Sequence, residues 1–132
     1  MIPAESTVVF ASGVPGFETC RRFVLVKAPD LEPGVCLKGL DAPEPTFLAV
    51  DPRRVAPDYP CVLGSADAAR LEASRSDECV WLAVVRWGHG SPVVNLRAPF
   101  VINPRTMRGI QVVPSESPWA VDAPWPMEVA CS

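Results

Sequence analysis

The side chains that could do chemistry in this sequence are few and scattered. His89 is the sole histidine. It stands in Gly88-His89-Gly90 between two strand-like runs, so its spacing predicts the solvated tip of a hairpin. A general base needs a rigid mounting and an orienting partner, and its neighbours supply neither. The five cysteines are Cys20, Cys36, Cys61, Cys79 and Cys131. None forms a C-x-x-C pair, and with one histidine no zinc spacing assembles locally. The odd count and the absence of a signal segment predict a cytosolic chain with free thiols. Cys36, Cys61 and Cys79 neighbour apolar residues and read as small core residues, whereas Cys131, next to last, is expected to be exposed.

Asp41, Glu44, Asp51 and Asp58 are the carboxylates whose grouping could serve paired acid–base work. Each sits beside or near a proline in a loop-like context, which favours turn residues. As a group they could form an acidic surface for a basic partner. Gly13-Val14-Pro15-Gly16 has neither P-loop nor dinucleotide-binding spacing, and no G-x-S-x-G elbow is present. The expectation is therefore no enzyme activity, no cofactor, no metal and no small-molecule substrate. A rival reading, a small hydrolase or isomerase, would need a deep pocket joining Cys61 or Cys79 to a carboxylate.

Two asparagines carry more information. Asn95 follows two valines inside a strand-like segment, where asparagine is disfavoured, so its amide needs partners. It either bridges backbone groups at a kink before Pro99 or serves as a recognition amide at an interface. Asn103-Pro104 reads as turn initiation.

The elements that must position these groups are short. Val80 to Pro114 organises the chain: Val80–Arg86, Val93–Leu96, Phe100–Ile102 and Ile110–Val113 are apolar runs separated by Gly, Pro and Asn breaks, the pattern of successive strands. Thr7–Ala11, Arg22–Lys27 and Thr46–Val50 add further strands. Gly34–Leu40 is a strand or one helical turn, Arg53–Tyr59 a loop or one turn of helix, and Cys61–Gly64 a short extended piece. The one good helix signal is Ser65–Ser76, with Ser65 as its cap, Asp67 in the first turn and Leu71 as its single large apolar residue. Val14-Pro15-Gly16-Phe17 suits a type II turn, with glycine where φ is positive.

The 132 residues suit one domain, 1–132. From about residue 114 onward an irregular tail rich in Trp and Pro follows; it either packs its tryptophans on the core or acts as a hook for a partner. Proline is the compositional outlier, with 16 residues spread through the chain; that argues for short elements with fixed corners. The fold class expected is all-β, a single domain with one short helix. Net charge is −3 and the pI about 5.1, so backbone-charge binding to nucleic acid has no support. A local basic stretch remains at Arg97, Arg105 and Arg108. The N-terminal sequence has no positive n-region, and no window approaches a membrane span.

A family resemblance rests on specific residues. Phe10 with Gly13-Val14-Pro15-Gly16-Phe17-Glu18 resembles the F-x-x-G-(I/V)-P-G-F-E signature of the flagellar assembly factor FliW family. Thr46–Pro52 with Pro57-Asp58-Tyr59 resembles its apolar strand and P-D-Y segment. Asn95-Leu96-Arg97-Ala98-Pro99 followed by Ile102-Asn103-Pro104 resembles its N-L-x-A-P-x-x-I-N-P signature, and Gly109 with Gln111-Val112-Val113 matches the next strand. The pieces run in family order from 10 to 113.

The resemblance implies that this all-β domain is a small antiparallel β-barrel-like domain, in a bacterial cytoplasmic protein without catalysis. It implies two protein partners bound one at a time: newly made flagellin and the carbon storage regulator, an RNA-binding translational repressor of flagellin. Freed of flagellin, the factor sequesters the repressor away from its RNA surface, so contact with nucleic acid is indirect. Asp41, Glu44, Asp51 and Asp58 are the expected repressor side. Phe47, or the strand edge near Val93–Leu96, is the expected flagellin side, and Asn95 is a further partner-binding candidate. Gly13, Pro15, Gly16, Phe17, Leu96, Ala98, Pro99, Asn103 and Pro104 are expected to shape the scaffold. A generic cytosolic protein-binding adaptor on the same fold is the alternative. Gly88–Val94 and the tail from Ser115 depart from the family pattern.

Overall fold

The β-strands form at short, mostly apolar runs bounded by Gly, Pro and polar breaks, and successive side chains point to opposite faces. In β2 (Arg22–Val26), Phe23 and Leu25 are buried while Arg22 is exposed. The same logic builds β1 (Ser6–Val9), β3 (Val35–Gly39) and β4 (Thr46–Val50). It also builds β5 (Val80–Gly88), β6 (Ser91–Val94), β7 (Phe100–Asn103) and β8 (Arg108–Gln111). The structure, a computed structural model, describes residues 6–27, 30, 32–74, 78–88, 90–114 and 116–125.

Strands β4-β3-β2-β1-β8-β7-β5 lie side by side, and β5 pairs back with β4. The ring is thereby closed into a small barrel. All neighbours are antiparallel except β1 and β8, which meet in parallel at the single pair Val9↔Arg108. Every strand of the ring except β8 sends a buried side chain inward. Phe10, Phe23 and Phe100 pack edge to face there, with centroids 5.2 and 5.5 Å apart.

A second core lies on the outer face of β4, β5, β7 and β8. On β5, Leu82 belongs to the inner core, while Trp81, Ala83 and Val85 belong to the outer one. Three segments cover it: the loop with Tyr59, helix α1 (Ser65–Leu71) and the tail with Trp119 and Trp125. Leu71 is fully buried in this layer, so the helix's one large apolar residue does anchor it to the barrel wall.

Strands β6 and β7 both pair antiparallel with β5. From Val85↔Val94 to Leu82↔Phe100, three steps on β5 are matched by six on the other side, so three extra residues bulge out at 95–99.

Several details differ from the sequence expectations. The helix starts at Ser65, but Gly64 holds the extended cap position and no side chain caps it; Glu72, with φ 57°, ends the helix. Cys61–Gly64 belongs to no strand. Cys20 is the fully buried thiol, whereas Cys36, Cys61 and Cys79 are half-buried. β6 ends at Val94, not Leu96. The tail forms β9 (Ala123–Pro124), which pairs with Val93 and Val94. His89, Arg75–Ser76, Ser115 and Cys131 lie outside the described residues.

Candidate functional site

The N-terminal signature is a turn built by its own residue types. Phe17 N–H donates to the Val14 carbonyl at 2.7 Å, and Gly16 has φ 92° at the third turn position, which a type II turn requires. Glu18 closes the motif: its carboxylate accepts the Gly16 N–H at 3.0 Å. That backbone bond holds the carboxyl below its ordinary range. Gly13, with φ 75°, turns the chain after Phe10, and its N–H donates to the Phe10 carbonyl. Phe17 and Phe47 meet edge to face at 5.6 Å, and Phe47 also touches Phe100 at 5.4 Å. Phe47 is half-buried against the inner core, so its ring is engaged in the scaffold.

The second signature is the bulge. Asn95 Oδ1 accepts from the N–H groups of Arg97 at 2.9 Å and Ala98 at 3.3 Å, so the amide bridges backbone groups just before Pro99. Gln111 Nε2 donates to the Ala98 carbonyl at 3.1 Å. Tyr59 Oη donates to the Leu96 carbonyl at 2.7 Å, and its ring lies 4.8 Å from Trp119. Burial pushes the Tyr59 phenol up to about 12. The strand edge near Val93–Leu96 is not free for a partner: β9 pairs with Val93 and Val94, and Leu96 N–H donates to Ala120. The tail supplies backbone bonds that a partner strand would otherwise make.

Asn103 is 1% exposed. Its Nδ2 donates to the Leu71 carbonyl at 2.9 Å, and its Oδ1 accepts from Arg105 N–H at 2.9 Å. It starts the turn before β8, as its sequence suggests, and also satisfies the open carbonyl end of α1. The second role had no local signal, because 32 residues separate Asn103 from Leu71.

The acidic residues do not form one patch. Asp41 and Glu44 precede β4, while Asp51 and Asp58 follow it, so a five-residue strand, about 17 Å long, separates them. Asp41 pairs with Arg22 at 2.7 Å and accepts the backbone N–H groups of Arg21 and Arg22. The Arg22 bond chiefly holds the Asp41 carboxyl down at about 2. Asp51 caps a 3-10 turn at Pro52–Arg54 and pairs with Arg53 at 2.9 Å. Glu44 and Asp58 are exposed.

Cys61 and Cys79, the thiols of the hydrolase alternative, are pushed up by burial, the reverse of an activated nucleophile. Among the described residues no group of three or more His, Cys, Asp or Glu could hold a metal ion. None of the described helices is long and apolar enough to cross a membrane.

One opening has no counterpart in the sequence expectations. β1 and β8 part after Val9↔Arg108. Beside β8, the segment that follows β1 and helix α1 line two neighbouring clefts, of about 400 and 130 Å³, that share Ser12 and Arg70. Their walls are the turn at Ser12–Pro15 and the α1 residues Asp67 and Arg70, and Gly109–Pro114 forms their floor.

The profile of the FliW protein family matches residues 1–125. The chain belongs to the FliW family. It is 36% identical over 115 residues to the flagellar assembly factor FliW of Thermotoga sp. (strain RQ2), covering 85% of this chain and 77% of that protein. To the flagellar assembly factor FliW of Syntrophotalea carbinolica it is 33% identical over 123 residues, covering 92% and 88%. A crystal structure of the flagellar assembly factor FliW superposes with TM-score 0.83 at 23% identity, over 98% of this chain and 92% of that one. The barrel with one helix is thus a FliW fold. Here the two FliW signatures build a type II turn and a bulge capped by Asn95.

Proposed function

We propose that this chain is a non-enzymatic, cytoplasmic flagellar assembly factor that binds flagellin and, when free of it, sequesters the carbon storage regulator, so that flagellin translation is released from repression. The observation that carries this reading is the family match over residues 1–125, together with relatives named as flagellar assembly factors. The raised thiols of Cys61 and Cys79 and the shortage of histidine support a binding role over a catalytic one. The whole chain is read as one binding domain whose tail is part of the outer core.

For the repressor side we propose the two acidic loops, with Glu44 and Asp58 as the contact charges. Asp41 and Asp51 hold those loops through Arg22 and Arg53. Phe47 and Asn95 act by shaping the surface, since both are engaged inside the fold. The test is calorimetric titration with flagellin and with the repressor from the same bacterium, separately and in competition. Each is expected to bind, and saturation with one is expected to abolish binding of the other. Heat from neither partner ends the reading, and simultaneous binding of both removes the switch.

A further inference from the structure

The tail from Glu116 to Trp125 lies on the outer core, and its hold there is thin. Ser117, Trp119, Ala123 and Trp125 are half-buried, and the other six residues are exposed. Its backbone reaches the barrel at few points. β9 is two residues long, and one of them, Pro124, has no N–H to give. Leu96 N–H donates to the Ala120 carbonyl at 3.0 Å, and Trp125 N–H to the Pro92 carbonyl at 3.3 Å. Trp119 N–H is used inside the tail, on Ser117 Oγ at 3.1 Å.

What the tail covers is buried more deeply. Val94, Leu96 and Tyr59 are buried, and Trp81 is 4% exposed. Among the described residues, Trp81 Nε1 is the buried side-chain donor that has no hydrogen-bond partner. Trp81 and the tail residues Glu116–Trp119 line a common cleft of about 180 Å³. A buried donor left unpaired is a cost that the closed tail carries and that solvent removes once the tail lifts. The ring beneath closes without the tail, through the pairing of β5 with β4. Just before the tail, Val112 N–H donates to the Pro99 carbonyl at 2.9 Å, which fixes the end of the barrel wall.

We propose that residues 116–125 form a strap that opens as one unit while the barrel stays folded. Opening does two things at once. It gives the Trp81 indole N–H a partner in solvent. It also uncovers the outer edge of β6, where the Pro92 carbonyl, the Val94 backbone and Leu96 N–H part from Trp125, Ala123 and Ala120. An uncovered strand edge is a template for pairing with another backbone. The strap is therefore a guard on that edge: closed, it fills the edge with the chain's own backbone, and open, it presents the edge. Two opposed contacts set the balance. The Trp119 ring, 4.8 Å from that of Tyr59, favours closure, and the unpaired Trp81 donor favours opening.

Hydrogen exchange followed by NMR on the full chain tests it. The Leu96 amide and the Trp81 indole N–H report the strap, and the Leu25 amide, in the inner core, reports the barrel. Leu96 is expected to exchange through an opening about a hundredfold or more populated than the one that exposes Leu25. Its protection factor should agree with that of Trp81 within about threefold, as one opening requires. Low denaturant should speed Leu25 steeply and leave Leu96 and Trp81 nearly unchanged, because lifting the strap exposes little surface. Trp119→Ala removes the ring that packs on Tyr59 and should speed Leu96 and Trp81 by one common factor, about tenfold. If Leu96 follows Leu25 in rate and in denaturant dependence, the tail leaves only with the whole fold and the strap is overturned. If Leu96 and Trp81 open separately, in the natural chain or in the variant, the single unit is overturned.

Discussion

Gly16 illustrates how one residue type fixes a local shape. At φ 92° it occupies backbone space that L side chains rarely adopt, yet a Cβ there would meet nothing within 4 Å. Gly16→Val is therefore expected to act through the backbone alone, lowering stability by about 1 kcal/mol or more. Chemical denaturation checks it: the midpoint should fall with the slope unchanged. The turn was legible from Pro15-Gly16, because proline and glycine carry their conformational preferences with them. The Glu18 bond to Gly16 was not, since a glutamate in a turn has many partners open to it. Tyr59 gives a second residue-scale outcome. It is the chain's one tyrosine, and burial raises its phenol from 10.0 to about 12. The folded state thus holds this proton more tightly than the unfolded chain, so the associated stability is intact below pH 10 and is lost as pH rises toward 12. Absorbance titration should show tyrosinate appearing near the higher value in the native protein. Ionisation at the ordinary value would place the ring in solvent and detach it from Trp119.

Elements were legible where an apolar run was short and clearly bounded. β2, β4 and the start of β5 were readable as short runs of apolar residues, rich in valine, leucine and phenylalanine. Pairing was not: that β6 and β7 share β5 depends on the bulge at 95–99, and β9 exists only because β6 offers it an edge. No local pattern encodes a partner strand thirty residues away. The helix shows the same limit. Its apolar content is one leucine, and what fixes its end is a remote asparagine. Asn103→Leu removes the donor to Leu71 and the acceptor for Arg105 in one step, leaving buried backbone groups unpaired. The expected loss is about 1–3 kcal/mol. The loss should be centred on α1, so proteolysis near the helix should accelerate before global unfolding.

At the scale of the molecule, charge bears on acid stability and, in the proposed function, on encounter with a basic partner, and we propose that different residues carry the two. Asp41, held at about 2 by Arg22, binds its proton less readily folded than unfolded. Its contribution is present above the ordinary carboxylate value, 3.8, and is lost as pH falls toward 2. Asp41→Asn should flatten the stability profile across that window, read as thermal midpoints against pH. Among the described residues Glu44 and Asp58 have no such ion pair, and they lie in the loops before and after β4. A basic surface broad enough to meet both would be steered by the sum of their fields, and salt would screen that attraction over about 10 Å at 0.1 M. Glu44→Lys with Asp58→Lys should therefore slow association with the carbon storage regulator and reduce its salt dependence, with the folded state unaltered. Asp41→Lys should act differently, loosening the β2–β4 corner by setting a lysine against Arg22. Stopped-flow association rates across ionic strength, beside thermal midpoints, separate the two. If reversing Glu44 and Asp58 leaves the rate and its salt slope unchanged, the repressor docks elsewhere on the barrel.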